Sequence, residues 1–419
     1  MARFGGLLAR DLRDVTSDPA ALDSSGWWAV TADFEGGLVC ARFGDVRPAP
    51  VPAPGRWRGP APRDWTSSLD RGAYTAGVRR IREHIAAGDV YQANLCRILT
   101  APLPDPDAAD VDALTALLAR GNPAPHAGTI RLPAHGVEVA TASPELYVRR
   151  TGRTVESRPI KGTGRTAADL LEKDHAENVM IVDLVRNDLG RVCASGSVTV
   201  PGLCAIEPHP GLVHLVSTVR GDLRAGATWA DLLGATFPPG SVTGAPKSSA
   251  LRIIEELETA PRGPYCGGVG WVDADRGTAE LAVGIRTFWI DPVSYTRIRD
   301  RARAEIRHRR RHHLGLRPLA GVGGDRAEGG PAARGSVWGY CGERRDFTVN
   351  TQSNGASAPA SRIWLDGALR EADGARVSVF DHGLTAGDGV FETLKATNGG
   401  AFALDRHLRR LATSARGLG

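Results

Sequence analysis

The sequence predicts an α+β fold in which antiparallel β-sheets are covered by helices. Three observations predict it. Paired apolar runs fold back around tight glycine-containing turns, a few segments carry apolar residues at helical spacing, and 419 residues at 42% hydrophobic suffice for a large core and more than one domain. No apolar run is long enough to span a bilayer, and Met1 to Arg13 lacks the apolar stretch of a signal peptide, so the expected location is the cytoplasm, with no membrane partner. Cys40, Cys96, Cys193, Cys204, Cys266 and Cys341 are scattered without a CxxC pair, which predicts reduced, mostly buried thiols rather than a disulfide frame or zinc site.

The net charge of +5 invites a nucleic-acid reading that its distribution opposes. Thirteen arginines against five acidic residues fall between Thr296 and Arg345, so the rest of the chain is slightly acidic. No aromatic side chains or readable binding module accompany Arg307-His308-Arg309-Arg310-Arg311, and no nucleic-acid partner is expected.

The first hairpin runs from Trp28 to Phe43 around Gly36-Gly37 and marks the expected start of the ordered domain. Arg47 to Pro62 is rich in proline and glycine and reads as a linker or wrapped loop. Tyr74 to Ala87 has Val78, Ile81 and Ile85 at near-helical spacing, and a strand-like run, Val90 to Cys96, follows it. Strands are expected over 137–142, 146–150 and 153–157, with Thr151-Gly152 as the tight turn. Glu145 then heads one strand and Lys161 lies just past the end of its hairpin partner, so a carboxyl and an amine could share one cleft; an ordinary surface ion pair is the alternative. Asp174 to Leu189 is a predicted helix, with Ala176, Met180 and Leu184 repeating and Gly190 ending it. Phe237 to Lys247 is a Pro/Gly loop feeding a helix over 248–257, a natural anion site. A last hairpin joins 267–273 to 278–290.

Arg158-Pro159-Ile160-Lys161-Gly162-Thr163 is the centre of this arrangement. Pro159 pushes Arg158 toward extended geometry and Gly162 lets the backbone turn, so Lys161 is a positioned amine. Together with Ser143-Pro144-Glu145, His175-Ala176-Glu177-Asn178, Val213-His214-Leu215 and Thr243-Gly244-Ala245-Pro246-Lys247, it resembles the chorismate-utilising enzymes, which make anthranilate, isochorismate, salicylate or aminodeoxychorismate. The resemblance runs from about Ser25 to Asp291. Lysine inside Pro-Ile-Lys-Gly-Thr is similar to the aminodeoxychorismate synthase version, component I, because the anthranilate branch usually carries alanine there.

The resemblance implies a chorismate-binding fold and a transaminase-type amination of chorismate, with ammonia delivered by a separate glutamine amidotransferase subunit. Anthranilate or isochorismate synthase, or a catalytically dead product, are the alternatives. It implies Lys161 as nucleophile, Glu145 as general acid and His214 near the leaving hydroxyl. It also implies Glu177 as one of two carboxylates holding Mg²⁺, and Thr163, Thr243, Gly244, Ala245, Lys247, Arg286 and Thr287 around the substrate.

After Asp291 the family pattern stops. Residues 292–360 are rich in Arg, Gly and Ala without apolar period, and are expected to be disordered, as a linker or an out-of-frame translation of GC-rich sequence. From 361 to 419 the motifs Ile363-Trp364-Leu365-Asp366-Gly367 and Val377 to Thr393 resemble the start of the class IV pyridoxal-phosphate enzymes, with Arg406 matching their phosphate-contacting arginine. The Schiff-base lysine of that family comes far later than Lys395, so bound pyridoxal phosphate is not expected. The domain reading is therefore 1–291 for the chorismate-binding domain, 292–360 for the disordered segment and 361–419 for a truncated fragment.

Overall fold

The computed structural model describes residues 1–291 except 51–54, 56, 106–108 and 122, and beyond them only 362–365, 368–371, 396–397, 400–401, 404–405, 408–409 and 412. The expected disordered segment, the Val377–Thr393 motifs and Arg406 lie outside the described residues. Two compact units divide the chain, one of Met1–Ile85 and Asp89–Gly342, the other of Ala86–Gly88 and Glu343–Gly419.

In chain order the described strands of the first unit are β1 (Ala2–Phe4), β2 (Leu7–Thr16), β3 (Trp27–Ala32), β4 (Leu38–Pro48), β5 (Thr66–Ser67), β6 (Gln92–Ala93), β7 (Leu99–Thr100), β8 (His126–Leu132), β9 (Val137–Ser143), β10 (Leu146–Thr151), β11 (Thr154–Arg158), β12 (Ile160–Gly164), β13 (Thr199–His209), β14 (Leu212–Asp222), β15 (Gly244–Ala245), β16 (Gly268–Asp273), β17 (Thr278–Val283) and β18 (Thr287–Trp289). The helices are α1 (Arg71–Ala87), α2 (Val111–Gly121), α3 (Glu172–Gly190), α4 (Trp229–Thr236) and α5 (Lys247–Leu257). Among the described residues, fourteen strands form one sheet in the order β12-β14-β11-β10-β17-β16-β3-β4-β2-β1-β8-β9-β18, with β13 on the other edge of β14. In the second unit, the described residues form two short hairpins, β19 (Arg362–Leu365) with β20 (Ala368–Glu371) and β21 (Ala396–Thr397) with β22 (Gly400–Ala401).

The pattern of side chains explains the layering. β3 is buried at all six positions, as expected of a central strand covered on both faces, and Trp27 stacks on Trp271 across the sheet at 6.2 Å between centroids. Val139, Val148, Val155, Val219 and Leu281 continue the core from β9, β10, β11, β14 and β17. α3 joins that core through Ile181, Val182, Val185 and Leu189. At its N-terminus Leu171 N–H donates to Asp174 Oδ2 at 3.0 Å, a side-chain cap that starts the helix.

The antiparallel α+β architecture and the helices expected at 74–87, 174–189 and 248–257 are present within a few residues. Several details differ. Order begins at Ala2 rather than at Trp28, because β1 and β2 pair with β8 and β4. Ala176 of α3 is exposed; the buried face carries Asp174, Asn178 and Asp188 alongside the aliphatics, and these polar members weaken the apolar period. Lys161 lies inside β12, not beyond a strand end, because the chain bends at Pro159 and continues along β14: β11 pairs with the 219–222 end of β14 and β12 with its 213–216 end. The run 278–290 is two strands rather than one. At Arg286 the backbone takes φ = 52°, and the chain leaves β10 and β16 to pair with β9.

Candidate active site

Three segments converge on Lys161. β12 carries the lysine, α3 presents Glu177 from its first two turns, and the 237–247 loop supplies a carbonyl. Lys161 Nζ lies 3.1 Å from Glu177 Oε1 and donates to Ser241 O at 2.9 Å, with the lysine side chain 12% exposed. The sequence alternative of a solvated surface pair does not describe this amine. Gln92 of β6 donates from Nε2 to the same Glu177 Oε1 at 2.8 Å.

Glu145 occupies the short link from β9 to β10 and is 4% exposed. Burial pushes its carboxyl up to about pH 7, opposed by a hydrogen bond from the Ser241 side chain, the Lys161 ammonium and the Ile160 amide. A carboxyl poised at neutrality can give up a proton at physiological pH. Its residue also lines a cavity of about 20 Å³, enough for about one water, shared with Tyr147, Ser157, Asp188, Thr236 and Ser241.

His214 of β14 stands opposite Thr163 of β12, and its buried Nδ1 is 2.8 Å from Thr163 Oγ1. The His209 ring lies edge-on to it at 4.8 Å between centroids. Two expected site residues are thereby coupled, and the hydroxyl fixes the imidazole orientation.

The 237–247 loop is held by its backbone. Asn94 N–H donates to Thr243 O at 2.8 Å and Tyr91 N–H to Ala245 O at 2.7 Å, pairing β6 with β15. Gly244 has φ = 151°, and a Cβ there would sit 2.1 Å from Gln92 O, so only glycine allows this approach. The Thr243 hydroxyl turns inward to the carbonyls of Pro239 and Gly240 at 3.2 and 3.1 Å. Lys247 Nζ binds Asp188 Oδ2 at 2.6 Å and Thr236 O at 3.0 Å, which ties α5 to α3 and α4. Burial lowers the Lys247 pKa and raises Asp188 to about 6; the ion pair opposes both shifts. Thr287 is fully buried with its hydroxyl 2.8 Å from that of Thr141, and Arg286 O accepts from Ala142 N at 3.0 Å.

Gln92 and Ser241 were not singled out in the sequence, although each lies within a stretch that was. Arg262 is a third: its guanidinium is 1% exposed, pairs with Glu258 at 2.6 Å, donates to Val242 O and Asn94 O at 2.8 and 2.7 Å, and stacks over Phe34. A lone arginine in Pro261-Arg262-Gly263 gives no such signal.

No group of three or more His, Cys, Asp and Glu among the described residues is arranged to hold a metal ion. Beside Lys161 the partly exposed Glu177 carboxylate nevertheless has the donor chemistry of a hard cation of the Mg²⁺ type, which takes few protein ligands, and Gln92, bonded to it through Nε2, carries a buried Oε1 with no hydrogen-bond partner.

The profile of the chorismate binding enzyme family matches residues 45–301, more than half of the chain and all of this site. The chain belongs to the chorismate-binding enzymes. Anthranilate synthase component 1 of Streptomyces coelicolor is 44% identical over 235 residues, covering 53% of this chain and 45% of that protein. Aminodeoxychorismate synthase component 1 of Klebsiella aerogenes is 40% identical over 235 residues, covering 53% and 51%. This chorismate-binding chain thus spans about half the length of the curated relatives it matches. The crystal structure of anthranilate synthase component I from Streptococcus pneumoniae shares its fold, with a TM-score of 0.57 at 22% identity over 68% of this chain and 83% of that one. No helix among the described residues is long and apolar enough to cross a membrane.

Proposed function

We propose that the chain is an aminodeoxychorismate synthase component I, converting chorismate and ammonia to 4-amino-4-deoxychorismate for folate synthesis in the cytoplasm. Lys161 carries the reading: an amine is enclosed at the centre of a chorismate-binding site, 3.1 Å from one carboxylate and next to a second that burial holds near neutrality. Lys161 adds to the substrate ring as nucleophile after giving up a proton, for which Glu177 is the adjacent carboxylate. Glu145 donates its proton to the departing hydroxyl, which leaves as water. His214, oriented by Thr163, lies near that hydroxyl. Ammonia from a separate glutamine amidotransferase then displaces the lysine.

Glu177 and Gln92 would hold Mg²⁺, which supplies charge neutralisation for the substrate's ring carboxylate. Gly244 and Ala245 contribute backbone polar groups and Arg286 a cation toward substrate acid groups. Thr243, Lys247 and Thr287 support the site through the contacts that enclose them.

A second reading, anthranilate synthase, is favoured by the 44% identical relative of that name. Incubation with chorismate, Mg²⁺ and an ammonium salt, followed by chromatographic separation, discriminates them. Aminodeoxychorismate is the expected product. Anthranilate would overturn the first reading in favour of the second, and isochorismate would overturn both.

A further inference from the structure

Beside the Arg262 brace, Cys96 Sγ and Cys266 Sγ approach to 4.0 Å, although 170 residues separate them in sequence. Cys96 follows Asn94 by two residues, and its N–H donates at 2.7 Å to Glu258 Oε1, the carboxylate oxygen that also holds Arg262. Cys266 is fully buried at φ = 63°, in the turn that leads to β16. The Arg262 guanidinium belongs to the same cluster and interacts electrostatically with both sulfurs.

We propose that Cys96 and Cys266 are a thiol oxidation site that closes to a reversible disulfide under a peroxide oxidant. The thiolate of one cysteine attacks a peroxide oxygen, and the O–O bond breaks to give a sulfenic acid and, after proton uptake, water. The second sulfur then attacks the sulfenic sulfur, and its thiol proton leaves with the hydroxyl as a second water. Two sulfur electrons reduce one hydrogen peroxide to two waters, and dithiol reductants reverse the bond. Bond closure brings the sulfurs from 4.0 Å to about 2.05 Å, so the segment after Asn94 must move relative to the 263–267 turn. Arg262 grips the carbonyls of Asn94 and Val242, so this movement reaches the loop whose Ser241 carbonyl receives Lys161.

The test treats the whole folded chain with hydrogen peroxide, blocks remaining thiols by alkylation and maps linked peptides by mass spectrometry. A dominant Cys96–Cys266 linkage, reversed by dithiothreitol and retained in Cys204→Ala, is expected. Cys204, the partly exposed thiol among the described residues, serves as the reference for unselective oxidation. Absence of the linkage at a peroxide dose that fully oxidises Cys204, or scrambled pairings in its place, overturns the proposal. Because the wild-type chain gives the answer alone, a misfolded Cys96→Ser variant would not obscure it. The result is also independent of which product the enzyme makes.

Discussion

At the scale of single residues, the proposed chemistry depends on keeping one carboxyl protonated and one amine enclosed. Lys161→Ala removes the nucleophile while leaving β12 its pairing with β14; amination should fall to background and the thermal midpoint should move little. Wild-type turnover in that variant would exclude covalent catalysis by Lys161. Glu145→Gln preserves shape and removes the transferable proton, so kcat should fall about 10²- to 10⁴-fold with a smaller effect on KM. A raised KM as the sole defect would make Glu145 a binding group. The same residue predicts a pH dependence of stability. Its folded pKa of about 7 lies above the ordinary carboxyl value of 4.5, so the native state binds the extra proton between those two values. Stability from this group is therefore full below about pH 4.5 and is lost as pH rises toward 7, by roughly 3 kcal/mol across the window. Denaturant titrations at several pH values should show Glu145→Gln flattening that part of the decline. An unchanged profile would place the native carboxyl at an ordinary pKa.

At the scale of elements, the site rests on a loop that two other segments hold in place. β6 is only two residues long, yet Asn94 and Tyr91 secure the 237–247 loop through backbone and side-chain bonds, and Arg262 ties both together. Gly244→Ala forces a Cβ against Gln92 O and should cost roughly 2–4 kcal/mol, with substrate affinity falling alongside. Arg262→Met leaves the Glu258 carboxylate buried without its guanidinium, with the Cys96 N–H still bonded to it, which costs about 3–5 kcal/mol. Calorimetric midpoints near wild type would show that either site relaxes more freely than its packing indicates. These dependencies explain what could be read in advance. Glu145, Lys161 and Glu177 stood out because local motifs carry them, and their convergence follows from a hairpin and a helix that the apolar pattern marks. The roles of Ser241, Gln92 and Arg262 are set by contacts between segments eighty or more residues apart, and no local spacing encodes them.

At the scale of the whole molecule, the antiparallel sheet was legible from its hairpins, whereas its order was not. β17 and β18 are adjacent in sequence but sit far apart along the strand path, because the turn at Arg286 sends the chain across to β9. β1 and β2 carry no clear sequence signature because half of the β2 positions are exposed and it lacks a sustained apolar run. The sheet also manages one of its edges: β13 carries Pro201, Pro208 and two register shifts, features that blunt pairing with another chain. No such device marks β18, whose Phe288 and Trp289 are buried, and the match to the family profile runs on past it to residue 301. Among the described residues the proposed Mg²⁺ ligands are one carboxylate, Glu177, and one carboxamide, Gln92, and a hard cation so held relies heavily on substrate oxygens. This chain should therefore aminate chorismate far more slowly than a chimera in which the residues after Asp291 are replaced by the corresponding segment of the Klebsiella aerogenes relative. The chimera should also bind Mn²⁺, used as a paramagnetic substitute for Mg²⁺, at lower concentrations in water-proton relaxation measurements. Equal turnover and equal Mn²⁺ affinity in the two proteins would show that this chain's own residues complete the site.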